Sequence, residues 1–348
     1  MPKLDGLRLI AVSAVAFGHW VDLPEYVWLA PVNKFLAMSG VNLFFVLSGF
    51  LITQILLTNQ NEKGVLGQFY IRRFLRIFPL YYLVLALGVI LAIPPARDYF
   101  IYYSTYTANI KMALGRFDTA YFTHLWSLAV EEQFYILFPF LVLFVPHNLR
   151  MFKILVIIGV MSRLLLFIFL DKPWFIAYTF TLCCFDSFGI GAILAYYKLR
   201  QPEQLIKILN RPVIFVSAFI AAILVFTVGG GYDIVLTRLL FSIFCFWVIG
   251  KACVGTSGIL AHPILVYLGK ISYGIYVYHY FMSYLFGMVE LPYEKLYFPF
   301  VTAGLASLSY HFFENPINNL KKYFNYKKES KTNTRISKPF AFGFISKD

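Results

Sequence analysis

The segment that decides the fold is LDGLRLIAVSAVAFGHW, residues 4–20, an apolar run that contains the polar residues Arg8 and His19. At about 100° per residue, the steps between them bring both side chains to within about 20° of one helix face, about 16 Å apart. Asp5 lies one turn before Arg8 on nearly the same stripe. Ionisable residues within a membrane helix usually mark a functional site. The alternative is that Arg8 and His19 reach opposite interfaces and are merely solvated there.

The composition places this helix in an all-α, polytopic membrane protein. The 348 residues are 60% hydrophobic and 14% charged, and the mean hydropathy is +0.71. Soluble domains have a lower hydrophobic and a higher charged fraction. The net charge of +13 comes from basic residues in short inter-helix loops and the tail, which indicates membrane orientation and excludes a nucleic-acid-binding face. The four cysteines lie in apolar runs without a CxxC pair, so neither a disulfide framework nor a metal site is predicted.

Apolar runs long enough to cross the bilayer predict about ten transmembrane helices. The excess of Lys and Arg in alternate loops predicts that both termini are cytoplasmic. The ten runs lie near residues 5–23, 38–58, 77–95, 125–145, 152–170, 176–197, 213–230, 234–252, 264–288 and 297–314.

Two basic segments are not predicted to span the membrane. Residues 64–78, GVLGQFYIRRFLRIF, mix basic with apolar residues and predict a helix in the inner interface, after the second span. Its Arg72, Arg73 and Arg76 suit the phosphates of a cofactor, although such helices also bind lipid head groups. Residues 321–348 predict a disordered cytoplasmic tail after a transmembrane domain at residues 1–320.

A polar stripe begins the predicted fourth span. His124, Ser127 and Glu131 are spaced three and then four residues apart and share one helix face. A capped helix start would explain this stripe alone. Because the first helix runs from the cytoplasm outward, His19 should lie at a similar depth in the membrane to this stripe. A histidine beside a carboxylate is the pairing that a general base needs, with Glu131 orienting His19.

Further polar residues lie in later helices. Arg163 and Asp186 are predicted to form a structural ion pair inside the membrane. Ser272 and His279 share a face in the ninth predicted span, where His279 is expected to be a hydrogen-bonded packing residue. Ten anchoring helices would not need so many buried polar groups, and together these groups favour a function within the membrane.

The chain resembles the acyltransferase 3 family of bacterial integral-membrane acyltransferases in six motifs that follow one another in family order. They are LDGLRLIAV at residues 4–12 followed by His19, FFVLSGFLI at 44–52, RRFLRIFPLYY at 72–82, HLWSLAVEEQFY at 124–135, GKISYGIYVYH at 269–279 and FFENP at 312–316.

The resemblance implies a ten-helix enzyme of the bacterial inner membrane. It takes an acyl group, usually acetyl, from cytoplasmic acyl-CoA and delivers it to a hydroxyl of a cell-surface glycan such as O-antigen or exopolysaccharide. Arg8 and His19 match the family's catalytic element of an arginine, ten residues and a histidine. Arg73 and Arg76 match its RxxR element.

We therefore expect an O-acyltransferase with acetyl-CoA or another acyl-CoA as donor, a surface or lipid-linked glycan as acceptor and no metal. His19 would act as general base or carry the acyl group itself. A secondary transporter or flippase with a buried charge path is the alternative. The catalytic residues expected are His19, Glu131 and Arg8, those binding the donor are Arg72, Arg73 and Arg76, and those in support are Asp5, Ser127, His124 and His279.

Overall fold

The computed structural model describes residues 1–20, 30–115, 122–170, 174–229, 232–255, 258–287 and 294–326, and these residues form helices without a strand. The helices are α1 (Pro2–Trp20), α2 (Ala30–Asn59), α3 (Val65–Ile90), α4 (Pro94–Asp98), α5 (Phe100–Ser104), α6 (Ala108–Leu114), α7 (Trp126–Phe144), α8 (Asn148–Phe169), α9 (Trp174–Thr179), α10 (Phe185–Arg200), α11 (Pro202–Leu209), α12 (Pro212–Val228), α13 (Tyr232–Val254), α14 (Pro263–Lys270), α15 (Ser272–Gly287), α16 (Glu294–Ser309) and α17 (Asn315–Asn319).

The chain is a multi-pass membrane protein. Among the described residues, six helical segments are long and apolar enough to cross a bilayer, or seven if α11 and α12, which meet at 61°, form one broken span. The predicted count of ten is therefore not confirmed. The predicted span at 264–288 is divided between α14 and α15. At 16 residues, α15 and α16 are each about 24 Å long, which is less than the hydrocarbon thickness of about 30 Å.

Helix α3 joins two segments that the sequence predicted to be separate. The predicted interfacial helix at 64–78 and most of the predicted span at 77–95 form one continuous helix of 26 residues, with Pro79 inside it. Its three arginines therefore lie in the first half of a long helix. The apolar pattern continues through Pro79, which would ordinarily end or kink a helix, so the sequence suggested a boundary where the structure has none.

After α3 the chain turns back along it. Ala92 adopts a left-handed conformation, and α4 and α5 follow. The Tyr81 hydroxyl donates to the carbonyl of Tyr103 at 2.8 Å, and the Tyr106 ring stacks on that of Tyr81 at 4.3 Å. Residues 94–106, which the sequence predicted to begin an outer loop, thus pack against the middle of α3.

Helix α1 is held in the bundle by close backbone contacts. It packs on α2, which packs in turn on α10. At Gly18 of α1 and Gly40 of α2 a Cβ atom would overlap the backbone of the other helix, so only glycine permits the approach of α1 to α2. On the other side, α1 contacts α14 and α15. These contacts fix the positions of Arg8 and His19 relative to α2 and α15.

Candidate active site

Three arginines from two helices line one cavity of about 90 Å³, which is room for several water molecules. Arg8 comes from α1, and Arg73 and Arg76 come from α3. Arg8 donates to Asp5 at 2.5 Å, one helical turn away, and is thereby oriented. The structure therefore brings together the two arginine motifs that lie more than sixty residues apart in the sequence. Clustered guanidinium groups suit the phosphates of an anionic ligand.

Glu131 lies on the wall of this arginine-lined cavity. Its carboxylate accepts hydrogen bonds from Ser48 and from Tyr135, each at 2.9 Å, and the Arg73 guanidinium lies 4.4 Å from the centre of the Tyr135 ring. The expected contact between Glu131 and His19 is therefore not what the structure shows. Seven residues separate Glu131 from His124, so it shares the face of His124 but lies about 10 Å further along α7.

The far end of the cavity is formed by hydroxyl groups. Ser127, Ser272 and Tyr276 line it. The Tyr276 hydroxyl lies 2.5 Å from the Ser127 hydroxyl and donates to the carbonyl of His124 at 2.8 Å. The sequence analysis did not single out Tyr276, because a tyrosine in an aromatic-rich helix carries no distinguishing signal.

Beyond Tyr276 the structure brings His19 and His279 together. Nδ1 of His19 lies 3.0 Å from Nε2 of His279, and Nδ1 of His279 lies 2.5 Å from the carbonyl oxygen of Tyr276. A carbonyl only accepts, so we assign the proton of His279 to Nδ1, which makes its Nε2 an acceptor. His19 then donates through Nδ1, and its Nε2 is left as the basic nitrogen. His279 thus occupies the position beside His19 that the sequence assigned to Glu131.

His124 completes this histidine cluster. Its buried ring lies 4.5 Å from that of His279 and 5.0 Å from that of Tyr280. Its position beside His279 agrees with the supporting role expected from the sequence. The stripe predicted for the fourth span is therefore divided: His124, in the turn before α7, contacts the other histidines, and Glu131, on α7, lines the arginine-lined cavity.

Arg72 is directed away from the arginine-lined cavity. It donates to the carbonyls of Lys321 and Phe324, each at 3.0 Å, and lies 5.1 Å from the Tyr326 ring. One residue before Arg73, it is rotated by about 100° around the helix and meets the C-terminal segment instead. Residues 321–326 of the predicted disordered tail are thus held against α3, while residues 327–348 lie outside the described residues.

Lys321 adds a further cation to this end of the site. Burial, followed by the positive charges of Arg76, Arg73 and Arg72, lowers the pKa of Lys321 to about 7. Crowded positive charges of this kind are stabilised by a bound anion. Lys321 could not be singled out from the sequence, because it begins a run of basic residues with no distinguishing pattern.

The predicted ion pair of Arg163 and Asp186 is confirmed. The guanidinium contacts both carboxylate oxygens, at 2.9 and 2.6 Å, and both side chains are buried. The sequence analysis missed a second buried arginine, Arg238, which donates to the Tyr178 carbonyl at 2.8 Å and contacts the sulfur of Cys184. An isolated charge within an apolar helix was the signal that could have found it.

The chain belongs to the acyltransferase 3 family. The family model, described as "Acyltransferase domain", matches residues 1–313, and this match confirms the resemblance. The chain is similar to O-acetyltransferase OatA of Staphylococcus aureus, with 28% identity in both strain NCTC 8325 / PS 47 and strain COL. Each alignment covers 91% of this chain and 57% of the relative, so the chain spans little more than half the length of these curated relatives. No solved structure matches the chain.

Proposed function

We propose that this chain is a membrane O-acyltransferase that moves an acetyl group from cytoplasmic acetyl-CoA to a hydroxyl of a cell-surface glycan. One observation carries the proposal: a single cavity joins three arginines to the Ser127–Tyr276 hydroxyl pair, and His279, which contacts His19, lies one turn after Tyr276 on α15. A site for an anionic donor thus lies close to a basic nitrogen. The name O-acetyltransferase carried by the relatives supports the same activity.

The arginine end would hold the donor. Arg8, Arg73 and Arg76 would bind the phosphates of CoA, and Lys321 would add a charge at the same end. The distance from Arg8 to His19 is about 16 Å along α1, a span that suits an extended pantetheine arm. In this arrangement the nucleotide remains at the cytoplasmic side of the inner membrane, both termini are cytoplasmic, and only the acyl end approaches the histidines.

The histidine end would carry out the transfer. Nε2 of His19 takes the proton from the acceptor hydroxyl while the hydroxyl oxygen attacks the thioester carbonyl carbon. The carbon–sulfur bond then breaks, and the thiolate of CoA takes the proton back from His19. The single proton of the Tyr276 hydroxyl is donated to the His124 carbonyl, so only Ser127 can stabilise the oxyanion that forms on the carbonyl, by turning its hydroxyl from Tyr276 toward it. Charge on His19 is stabilised through its hydrogen bond to His279.

His19 could instead accept the acetyl group on Nε2 and then pass it on. The two routes can be distinguished by an experiment in which no acceptor is present. A covalent acetyl-imidazole predicts that labelled free CoA exchanges into acetyl-CoA with the purified protein alone, whereas direct transfer predicts no exchange. His19→Gln serves as the control, because it removes the nucleophile in one route and the base in the other.

The central test supplies radiolabelled acetyl-CoA to membranes from cells that express the wild type or His19→Gln. We expect label in the glycan fraction with the wild type and at least a 100-fold lower rate with the variant. Equal labelling by both would refute the proposed role of His19. No acetyl transfer by the wild type, together with movement of a solute or lipid-linked sugar, would instead support a transporter or flippase. Mass spectrometry of the surface polysaccharide identifies the acceptor as the glycan that gains one acyl unit.

A further inference from the structure

A second cavity, of about 360 Å³, lies between α3, α7 and the returning segment at residues 94–114. We call it the lateral cavity. Its wall is mainly aromatic and aliphatic, with two ionisable groups of opposite charge, Arg73 and Glu132. The residues that line it are Tyr70, Arg73, Phe74, Phe78, Thr105, Tyr106, Thr107, Ile110, Glu132, Gln133, Tyr135 and Ile136.

Glu132 is the group in this cavity whose hydrogen-bonding needs are not met. Its side chain is only 6% exposed, and its Oε1 atom has no hydrogen-bond partner within the part of the chain that the structure describes. The neighbouring Gln133, by contrast, donates to the Tyr106 carbonyl and to Asn109, each at 2.8 Å. A buried carboxylate oxygen without a donor is costly, and a ligand that brings a donor would remove this cost.

Arg73 supplies the opposite charge on the same wall but does not form an ion pair with Glu132. No nitrogen of Arg73 lies within 4.0 Å of a carboxylate oxygen of Glu132, although both side chains line the lateral cavity. The guanidinium has five N–H donors, so it has the capacity to serve this cavity as well as the arginine-lined one. Two separated charges of opposite sign complement a ligand that carries both an anion and a cation.

Two exposed apolar side chains that line the cavity indicate that such a ligand enters it from the lipid bilayer. Phe74 on α3 and Ile136 on α7 line the cavity and are 54% and 57% exposed, and both helices are long and apolar enough to span the membrane. Exposed apolar side chains on spanning helices face lipid. The three arginines of α3 place this part of the helix near the level of the lipid head groups.

We propose that the lateral cavity binds a membrane phospholipid with a phosphoethanolamine head group. Its phosphate accepts hydrogen bonds from Arg73, its ammonium group donates to Oε1 of Glu132, and one acyl chain leaves between Phe74 and Ile136. This site is separate from the proposed donor site, although Arg73 belongs to both walls. It therefore couples the lipid composition of the membrane to the position of Arg73.

The test measures lipid selectivity with the purified full chain. Detergent-solubilised protein is incubated with equal amounts of phosphatidylethanolamine, its N,N-dimethyl derivative and phosphatidylcholine, all with identical acyl chains, and retained lipid is quantified by mass spectrometry. Wild type should retain phosphatidylethanolamine about tenfold over phosphatidylcholine, because choline has no N–H donor, with the dimethyl lipid in between. Glu132→Gln should lower this ratio, because glutamine keeps an acceptor oxygen but loses the negative charge. Glu203→Gln, which removes an exposed carboxylate on α11, should leave it unchanged.

A second pair of variants keeps the test valid if Glu132→Gln fails to fold. Ile136→Trp narrows the mouth of the cavity and should reduce retained phosphatidylethanolamine at least fivefold. Leu137→Trp makes the same change at a neighbouring position that is equally exposed, at 57%, and does not line the cavity, so it should have no effect. Equal retention of the lipids by the wild type, an unchanged preference in Glu132→Gln, or an unchanged amount of retained phosphatidylethanolamine in Ile136→Trp would each overturn the proposal. Acetyl-CoA binding by the same samples reports separately on the proposed donor site.

Discussion

Replacement of His279 by phenylalanine tests whether His279 orients and stabilises His19. Phenylalanine keeps a ring of similar size but removes Nε2, the atom that accepts from His19 at 3.0 Å. When His19 is neutral, this hydrogen bond contributes about 0.5–1.5 kcal/mol, and when His19 is positively charged in the transition state it contributes about 1.5–3 kcal/mol. Only the difference, about 1–1.5 kcal/mol, affects the chemical step.

We therefore expect His279→Phe to lower kcat by about 5- to 13-fold. The acetyl-CoA concentration for half-maximal rate should not change, because His279 lies beyond the hydroxyl pair and not among the arginines. His19→Gln should have a much larger effect, about 100- to 10,000-fold, because it removes the base itself. The assay is the initial rate of acetyl transfer from labelled acetyl-CoA to glycan in membranes, with expression levels matched.

Two results would refute this reasoning. An unchanged kcat in His279→Phe would show that His19 does not depend on this partner. A loss as large as that of His19→Gln would show that His279 is itself the base. His262→Phe is the matched control, because His262 is exposed in the turn before α14 and the same substitution there should leave the rate unchanged.

Three further predictions concern the donor end and the orientation of the chain. Arg76→Gln should weaken acetyl-CoA binding by about 10- to 150-fold in calorimetry, with little change in kcat, because it removes a charge-assisted contact. Unchanged binding would indicate that the arginines anchor α3 to lipid head groups instead. Because the pKa of Lys321 is lowered to about 7, this residue loses its positive charge as the pH rises from 6 to 8. Acetyl-CoA affinity should fall over this range and binding near pH 7.5 should take up protons, whereas Lys321→Ala should remove both effects; the same pH profile in the variant would argue against Lys321. In a background without native cysteines, Lys63→Cys should react with a membrane-impermeant thiol reagent only after the cells are permeabilised, whereas Gly115→Cys should react in intact cells. The opposite pattern would show that the predicted orientation of the chain is wrong.

The sequence predicted those features that depend on position within a single helix. Arg8 and His19 lie on one helix, with Arg8 at the arginine-lined cavity and His19 at the histidine cluster. The ion pair of Arg163 and Asp186 was also predicted, because each buried charge needs a partner and few partners were available. Helical periodicity determines the face of a residue, and the scarcity of buried charges limits its partners.

The sequence did not predict which helices meet at a given depth. Glu131 was matched with His19 because both were expected near the outer end of their helices, whereas the structure pairs His19 with His279 and Glu131 with Ser48 and Tyr135. The return of residues 94–106 along α3 was missed for the same reason, because no periodic pattern identifies the element against which a short helix packs. Such contacts depend on the three-dimensional arrangement of several helices.

The hydroxyl pair of Ser127 and Tyr276 has a consequence for the membrane as an electrical barrier. A protein with a polar cavity at one side and a polar cluster at the other keeps the two apart by the layer of side chains between them. Here that layer includes a single hydrogen bond of 2.5 Å between two side chains. If an acetyl group crosses at this point, the layer must separate and reseal in every catalytic cycle.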